Sequence, residues 1–446
     1  MQTTLSETSQ RHRDEAELLW TLRLCAVDAH GQHLWSLLRL DDRLDAHLDG
    51  VRIAIESGIP LGPSRIEERH PGRAFVAASL GTALGDRTLL AALFEAADTM
   101  PSVRRAVAAA LGWSPQRAAQ PVIDVLVASC ATDARCHLAL AACAAHRVDA
   151  GALLARALAS DDAPLRARAL RAAGELGRTD LCGTLEMHAE AEADPESRLW
   201  ATWSLALFRS EPAARRLFTI AGEGEPSAEH AAALAARCLP VDEARSHVRR
   251  LGTAERTARA AMVGAAALGD PAMLDDLIQR MGQPRWARLA GWAFGEITGA
   301  DLHAEGIAGE RPPGFTSGPN DDPKDPNVRL DPEAALPFPI AARAAAYHLA
   351  HRGELPEGQR FLGGRPASAA AALTRLVHGT QPSRRGAALE LALQAPAALL
   401  SLIGPGAPRK PGLRAPLFPL HAPARRQRRL LERCLDAMGG SLVGGP

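Results

Sequence analysis

Aromatic residues are scarce in this chain. They make up 4% of its 446 residues, with one tyrosine, against a hydrophobic content of 47%. A core built from such a sequence rests on Ala and Leu; small Ala faces let helices approach closely, and Ala is the best helix former. β-branched runs of alternating polarity are nearly absent, so the fold class is all-α. Long apolar runs are lacking too: stretches such as Leu138 to Ala145 are far too short to span a bilayer. The opening MQTTLSETSQRHRDEAELLW has no apolar stretch and no small-residue cleavage pattern, which argues against a signal peptide. Net charge is absent, with 51 basic and 51 acidic residues, so nothing global draws the chain to nucleic acid or to an acidic membrane. Seven cysteines, an odd number at irregular spacing, form no disulfide framework. The expected compartment is a reducing cytoplasm.

Catalytic signatures are missing as well. There is no GxSxG elbow, no glycine-rich phosphate loop ending in Lys-Ser or Lys-Thr, and no HExxH. Cys130, Cys136 and Cys143 with His137 and His146 invite a metal reading, but the spacing is not CxxC. A helix would set Cys136 and Cys143 two turns apart, and zinc needs converging ligands. These are expected to be small buried cysteines, and no metal, no cofactor and no catalytic residue is predicted.

What the chain does have is a sentence repeated about every 31 residues. Arg73, Arg104, Arg135, Arg166 and Arg198 are followed three residues later by Val76, Val107, Leu138, Ala169 and Ala201, and six later by Ser79, Ala110, Ala141, Ala172 and Ser204. The frame continues from His230, Thr257 and Ala287. Pro101, Asp133, Pro164 and Pro195 mark where each first helix begins, since proline suits a first helical turn. Gly81, Gly112, Cys143, Gly174 and Gly295, eight after the slot, allow a tight exit into a second helix. About eight such units predict an α-solenoid, in which each unit buries its apolar face only against its neighbours. The unit at His230 is short, which predicts a local change of curvature.

Residues 1–69 read as an N-terminal helical cap: a frayed start through residue 13, an acidic first turn at Asp14, and core positions Leu18, Leu22 and Cys25. A second helix follows with Leu37, Leu40, Leu44 and Leu48, stopped by Gly58 and Pro60. The repeat array occupies 70–302. Residues 303–339, dense in Pro, Gly and Asp, form an insertion that cannot be a continuous helix. Residues 340–446 return to helix and end basic, with Arg409, Lys410, Arg414, Arg425, Arg426, Arg428, Arg429 and Arg433.

PSVRRAVAAALG (101–112) and APLRARALRAAGELG (163–177) resemble HEAT-like repeats of the short class also seen in phycobilisome lyases, over roughly residues 70–300. ELLWTLR, LDDRLDAHLDGVR, ARLAGWAFGEITGADL, the DDPKDPNVRLDPEAALPFP stretch, GQRFLGGRP and RRGAALELAL resemble a family of uncharacterised proteobacterial HEAT-like proteins over nearly the whole chain. Members of that family are often encoded near type VI secretion genes, which implies an accessory or adaptor role. Where relatives tend to carry a paired Trp, this chain has Ala344 to Tyr347 as AAAY. HEAT-type enzymes that hydroxylate a modified lysine use His-Glu dipeptides, and this chain has none; HEAT-like DNA glycosylases need a basic groove that the balanced repeat region does not favour.

The reading is a HEAT-like α-solenoid (an α-α superhelix) with helical caps and a Pro/Asp-rich insertion, acting as a non-enzymatic protein–protein scaffold or adaptor. Its speculative partner-binding residues are Arg73, Arg104, Arg135, Arg166 and Arg198, in a row along one edge, with Trp200 and Trp286. Against this stands the architectural reading, in which each Arg ties its helix to a nearby acidic turn (Asp98, Asp133, Asp162, Asp194) and the Trp rings pack between repeats. Asp321, Asp322, Asp325, Asp331 and Glu333 suggest calcium, but their prolines do not match an EF-hand loop; the expectation is a solvated insertion that packs its LPFP end on the last repeats. Alternative functions are chromophore attachment, as the lyase resemblance implies, and nucleic-acid binding through the basic tail. The expected partner is a protein, with no membrane, and nucleic acid is disfavoured.

Overall fold

The computed structural model describes residues 2–59, 66–224, 227–319, 324, 330–395, 399, 402–403, 414 and 416–440. Among them the chain is all-α apart from two pairs of two-residue strands, and no helix is long and apolar enough to cross a membrane. Contacts gather the chain into two units: residues 1–28, 33–204 and 397–446, and residues 29–32 and 205–396.

The first unit opens with helices Gln2–Ala26 and Leu34–Glu56. The expected fraying and the acidic first turn at Asp14 are not found, because the helix starts at Gln2 and runs through both. Its buried stripe also differs from the expected one. Leu18, Leu22 and Cys25 are exposed, whereas Ala16, Leu19, Trp20 and Arg23 are buried. Arg23 Nε donates to the buried Asp41 at 2.7 Å. A buried charge without a partner costs several kcal/mol, which Asp41 averts for Arg23; on the same stripe the Trp20 ring stacks on Phe75 at 4.9 Å, so the inward face is the one that meets partners on other helices. In the second helix Leu37 and Leu44 are fully buried and Leu40 and Leu48 sit at the edge. Gly58 follows it in the left-handed region at φ 85°; Pro60 lies outside the described residues.

Helix pairs then alternate. The first helices are Pro71–Leu84, Pro101–Trp113, Asp133–His146, Ala163–Glu175 and Pro195–Leu207. The second helices are Arg87–Thr99, Gln116–Ala128, Ala152–Leu158 and Cys182–Ala191. Side chains of Asp86, Thr132 and Asp162 accept from the backbone N–H three residues on, satisfying donors that a helix start leaves orphaned. From Pro71 to Glu175 each first helix packs on the next, and small residues make the approach close. A Cβ added at Gly112 would lie 2.9 Å from Ala145 Cβ, closer than real methyl groups come. Hydrogen bonds cross between neighbouring repeats, 34 or 35 residues apart: His146 Nε2 to the Leu111 carbonyl at 2.8 Å, Ser204 Oγ to the Leu170 carbonyl at 2.7 Å, and Thr132 Oγ1 to Asp98 at 2.7 Å.

The basic end closes this unit. Leu417 N–H donates to the Glu175 carbonyl at 3.0 Å, and Arg147 Nε donates to the Leu417 carbonyl at 2.7 Å. Phe418 is buried. The final helix, Ala424–Ala437, starts where Asp41 accepts from Ala424 N–H at 2.6 Å. Arg426 then donates to the carbonyls of Gly112, Trp113 and Ser114 at 3.1, 3.4 and 2.8 Å. It therefore serves the last turn of the Pro101–Trp113 helix, where carbonyls have no helical partner.

The second unit contains helices Glu211–Glu223, Ala228–Cys238, Val241–Leu251, Ala258–Leu268, Leu274–Met281 and Pro284–Thr298. Residues 303–319 and 330–339 hold no helix; strands Ala308–Gly309 and Phe338–Pro339 pair antiparallel. This segment is tied down through Arg288, which reaches Asp331 at 2.7 Å and lies over the rings of Phe315 and Phe338. Glu333 pairs with Arg259. Asp321, Asp322 and Asp325 lie outside the described residues. Helices Ala341–His351, Ala369–His378 and Gln381–Gln394 follow. Between the first two, a hairpin of Phe361–Leu362 and Arg365–Pro366 caps helix ends. Phe361 N–H donates to the Gly269 carbonyl at 2.8 Å and Gly363 N–H to that of Glu296 at 2.7 Å.

Gly112→Leu should therefore destabilise the protein by about 1–3 kcal/mol through overpacking. Arg135→Ala should cost at most about 1 kcal/mol, because its pair with Asp98 is partly exposed. Arg426→Ala should cost about 2–3 kcal/mol by leaving charge-assisted bonds to carbonyls unmade. Thermal unfolding ranks the three, and equal shifts for Gly112→Leu and Arg135→Ala would contradict this packing.

Candidate functional site

The arginine slot sits in the first turns of each first helix. Four of the five are engaged. Arg73 lies 3.6 Å from Glu17, Arg135 3.0 Å from Asp98, and Arg198 Nη1 donates to the Glu192 carbonyl at 3.2 Å. Arg166 grips the Glu192 carboxylate with two bonds of 2.7 and 3.0 Å. That grip, with support from the Asp194 N–H and His188, outweighs burial and lowers the Glu192 pKa to about 2. Of the four aspartates considered as partners, only Asp98 receives its arginine. Asp162 and Asp194 instead accept from Leu165 N–H and Ser197 N–H, because a helix start offers them backbone donors at closer range. Arg104 makes no ion pair among the described residues.

The two tryptophans divide. Trp286 is 8% exposed, its Nε1 3.4 Å from Glu255 and its ring under Arg285, so it packs rather than faces solvent. Trp200 is half-buried, with the Arg171 guanidinium 4.4 Å from its ring centre and Trp203 edge-on at 5.5 Å.

Arg166 and Glu192 also form one end of an open groove of about 620 Å³ between helices Ala152–Leu158 and Cys182–Ala191. Its lining is mixed, with Leu158, Leu181 and Met187 beside Ser160, Asp161 and Thr184, and with His188 3.2 Å from Glu192. Met187 is 57% exposed, and such a soft, adaptable side chain suits a variable contact surface. Ala152–Leu158 has seven residues, whereas the preceding second helix, Gln116–Ala128, has 13. The missing turns are taken up by a loop in which Arg147 and Gly151 adopt φ of 57° and 56°. Periodicity of the arginine slot does not reveal this, since it follows first helices; the legible signal is the short ALLARAL between the Gly151 turn and SDDAP.

The other candidates are structural in their surroundings. Arg156 Nη2 lies 2.9 Å from Cys136 Sγ, and burial together with Cys136 pushes the Cys130 thiol up to about 12. Burial does the same to Cys143. Among the described residues no three His, Cys, Asp or Glu side chains gather as a metal would need. In the basic end, Arg425 pairs with Asp42 at 2.7 Å and Arg428 with Glu432 at 2.9 Å; Arg409 and Lys410 lie outside the described residues. Comparison with family models, with curated proteins and with solved structures finds no match to this chain.

His146 links the array to the docked end. Its Nε2–H donates to the Leu111 carbonyl, which leaves Nδ1 facing Arg426 at 3.5 Å as an acceptor. Burial, with Arg426 nearby, holds its pKa at about 4 against an ordinary 6.5. As pH falls from 6.5 toward 4 the unfolded chain takes up a proton that the folded chain refuses, so stability falls across that window by up to about 1.4 kcal/mol per pH unit. His146→Gln keeps a donor for Leu111 and should shrink the loss of melting temperature between pH 7 and pH 5. An unchanged pH dependence would refute this role.

Proposed function

We propose that this protein is a non-enzymatic binding scaffold of the HEAT-like α-solenoid kind, which holds a protein partner on the surface of its repeats. The observation that carries the reading is the open groove beside Arg166. Its apolar residues Leu158, Leu181 and Met187 offer contacts to a partner's side chains, while Arg166 is already held by Glu192, so a partner pays little ordering cost on the scaffold side. Crossing hydrogen bonds between neighbouring repeats support the solenoid part of the reading, because they hold neighbouring helices in a constant register. The resemblance to HEAT-like proteins encoded near type VI secretion genes makes an assembly or loading accessory of such a system the concrete form of this proposal.

The test is an affinity pull-down from the cytoplasm of the source cell with the intact chain and with Met187→Glu. Met187 is exposed, so the substitution leaves folding intact while placing a charge in the groove lining. A stable protein partner, lost or weakened about tenfold in the variant, is the expected outcome. Recovery of no partner, equal capture by both chains, or release of a chemically altered small molecule would refute it.

A further inference from the structure

A second surface of the first unit has charge that the fold does not use. Arg104 and Arg105 lie on helix Pro101–Trp113, and neither has a hydrogen bond from its guanidinium or an ion pair among the described residues. His137, on the next first helix, lies near Arg168, Arg104 and Arg105 and also near Asp162; burial and the arginines outweigh Asp162 and lower its pKa to about 4, and its buried Nδ1 has no partner among the described residues. On helix Ala163–Glu175, Arg168 and Arg171 bind one carboxylate, Glu175, at 2.7 and 2.9 Å. Burial alone would raise the Glu175 pKa, but Arg168, Arg171 and Arg147 outweigh it and hold it below the usual carboxylate range. On this face Arg168 and Arg171 thus share the one Glu175 carboxylate, and Arg104 and Arg105 have no ion pair among the described residues. Trp200 closes the row, stacked on Arg171.

We propose that this face, from Arg104 and Arg105 across Arg168 and Arg171 to Trp200, binds an acidic peptide segment of a protein partner. Planar guanidinium groups pair with carboxylates through two parallel bonds, and their preference for such groups grows where other counter-charges are few. Adjacent packed helices stand about 8–10 Å apart, so Arg105 and Arg168, two helices apart, are separated by roughly 20 Å. An extended chain covers that in about six residues, which sets the spacing between the acidic clusters of the bound segment. Nucleic acid fits less well. Strand binding relies on successive aromatic platforms under the bases, and this face has Trp200 alone, next to the Glu196 carboxylate that accepts from its Nε1. Discrete carboxylates can avoid Glu175 and Glu196; an unbroken phosphate backbone cannot.

The inference names the partner's chemistry for the scaffold reading and rests on it, but uses a different surface from the Met187 groove. Fluorescence anisotropy with a labelled peptide carrying two Asp-Glu pairs six residues apart tests it, beside an Asn-Gln version and a labelled oligo-dT of similar length. The acidic peptide should bind in a salt-sensitive way, at least tenfold tighter than its amide version and than oligo-dT. Arg104→Glu with Arg105→Glu should weaken it at least tenfold, and Arg52→Ala, on another helix, should not. If the double variant fails to fold, Arg105→Ala should still weaken binding about threefold. Equal binding of the amide peptide, tighter binding of oligo-dT, or no effect of the arginine substitutions would overturn the proposal. If the peptide fails while a partner still depends on Met187, this inference falls and the scaffold reading stands.

Discussion

Carbonyl groups at the ends of the first helices are the constraint on which the structure depends. Each helix leaves its last carbonyls without internal partners, and stacking helices side by side hides those ends from water. In the first unit the chain answers from more than 200 residues away in sequence. Arg426 serves Gly112, Trp113 and Ser114, and Leu417 N–H serves Glu175. In the second unit the Phe361–Pro366 hairpin serves Gly269, Glu296 and Ile297, and Arg360 serves Leu268. The residues after the repeats are therefore part of what keeps the repeats intact.

This arrangement explains where buried charge is tolerated. Arg23 and Asp41 sit together in the first helix pair, and Asp41 also accepts from Ala424 N–H where the final helix begins. In the second unit Glu390 holds Arg360 at 2.6 Å beside Arg237. Such pairs add little net stability compared with apolar packing, but breaking one leaves a buried charge exposed to no solvent. They act as registry pins between distant parts of the chain rather than as a source of cohesion.

Much of the fold was legible because its signals are local. Ala-rich periodicity, proline at helix starts and small residues eight after the arginine all report on a neighbour in the next helix turn or the next repeat. Gly112 against Ala145 is the structural counterpart of that pattern. What could not be read depends on long-range pairing. Leu18, Leu22 and Cys25 have helical spacing as good as that of Ala16, Leu19 and Arg23; the stripe that is buried is the one with partners on other helices, Asp41 for Arg23 and Phe75 for Trp20. The docked basic end was hidden for the same reason, since a run of arginines looks alike whether it faces solvent or a carbonyl. The arginine slot showed a row placed at helix starts and one of its partners, Asp98, but not Glu17 and Glu192, which lie outside the repeat sentence. One side of the groove is a helix six residues shorter than its predecessor, a difference that periodicity of first helices does not measure.

The measurement that bears most directly on this account is hydrogen–deuterium exchange of the full chain beside a chain ending at Leu413. The last turns of helices Pro101–Trp113, Asp133–His146 and Ala163–Glu175 are held by the residues removed, so their amides should exchange faster while those of Arg87–Thr99 and Gln116–Ala128 keep their protection. Unchanged exchange at those helix ends would contradict the claim that the distant C-terminal segment completes the repeats.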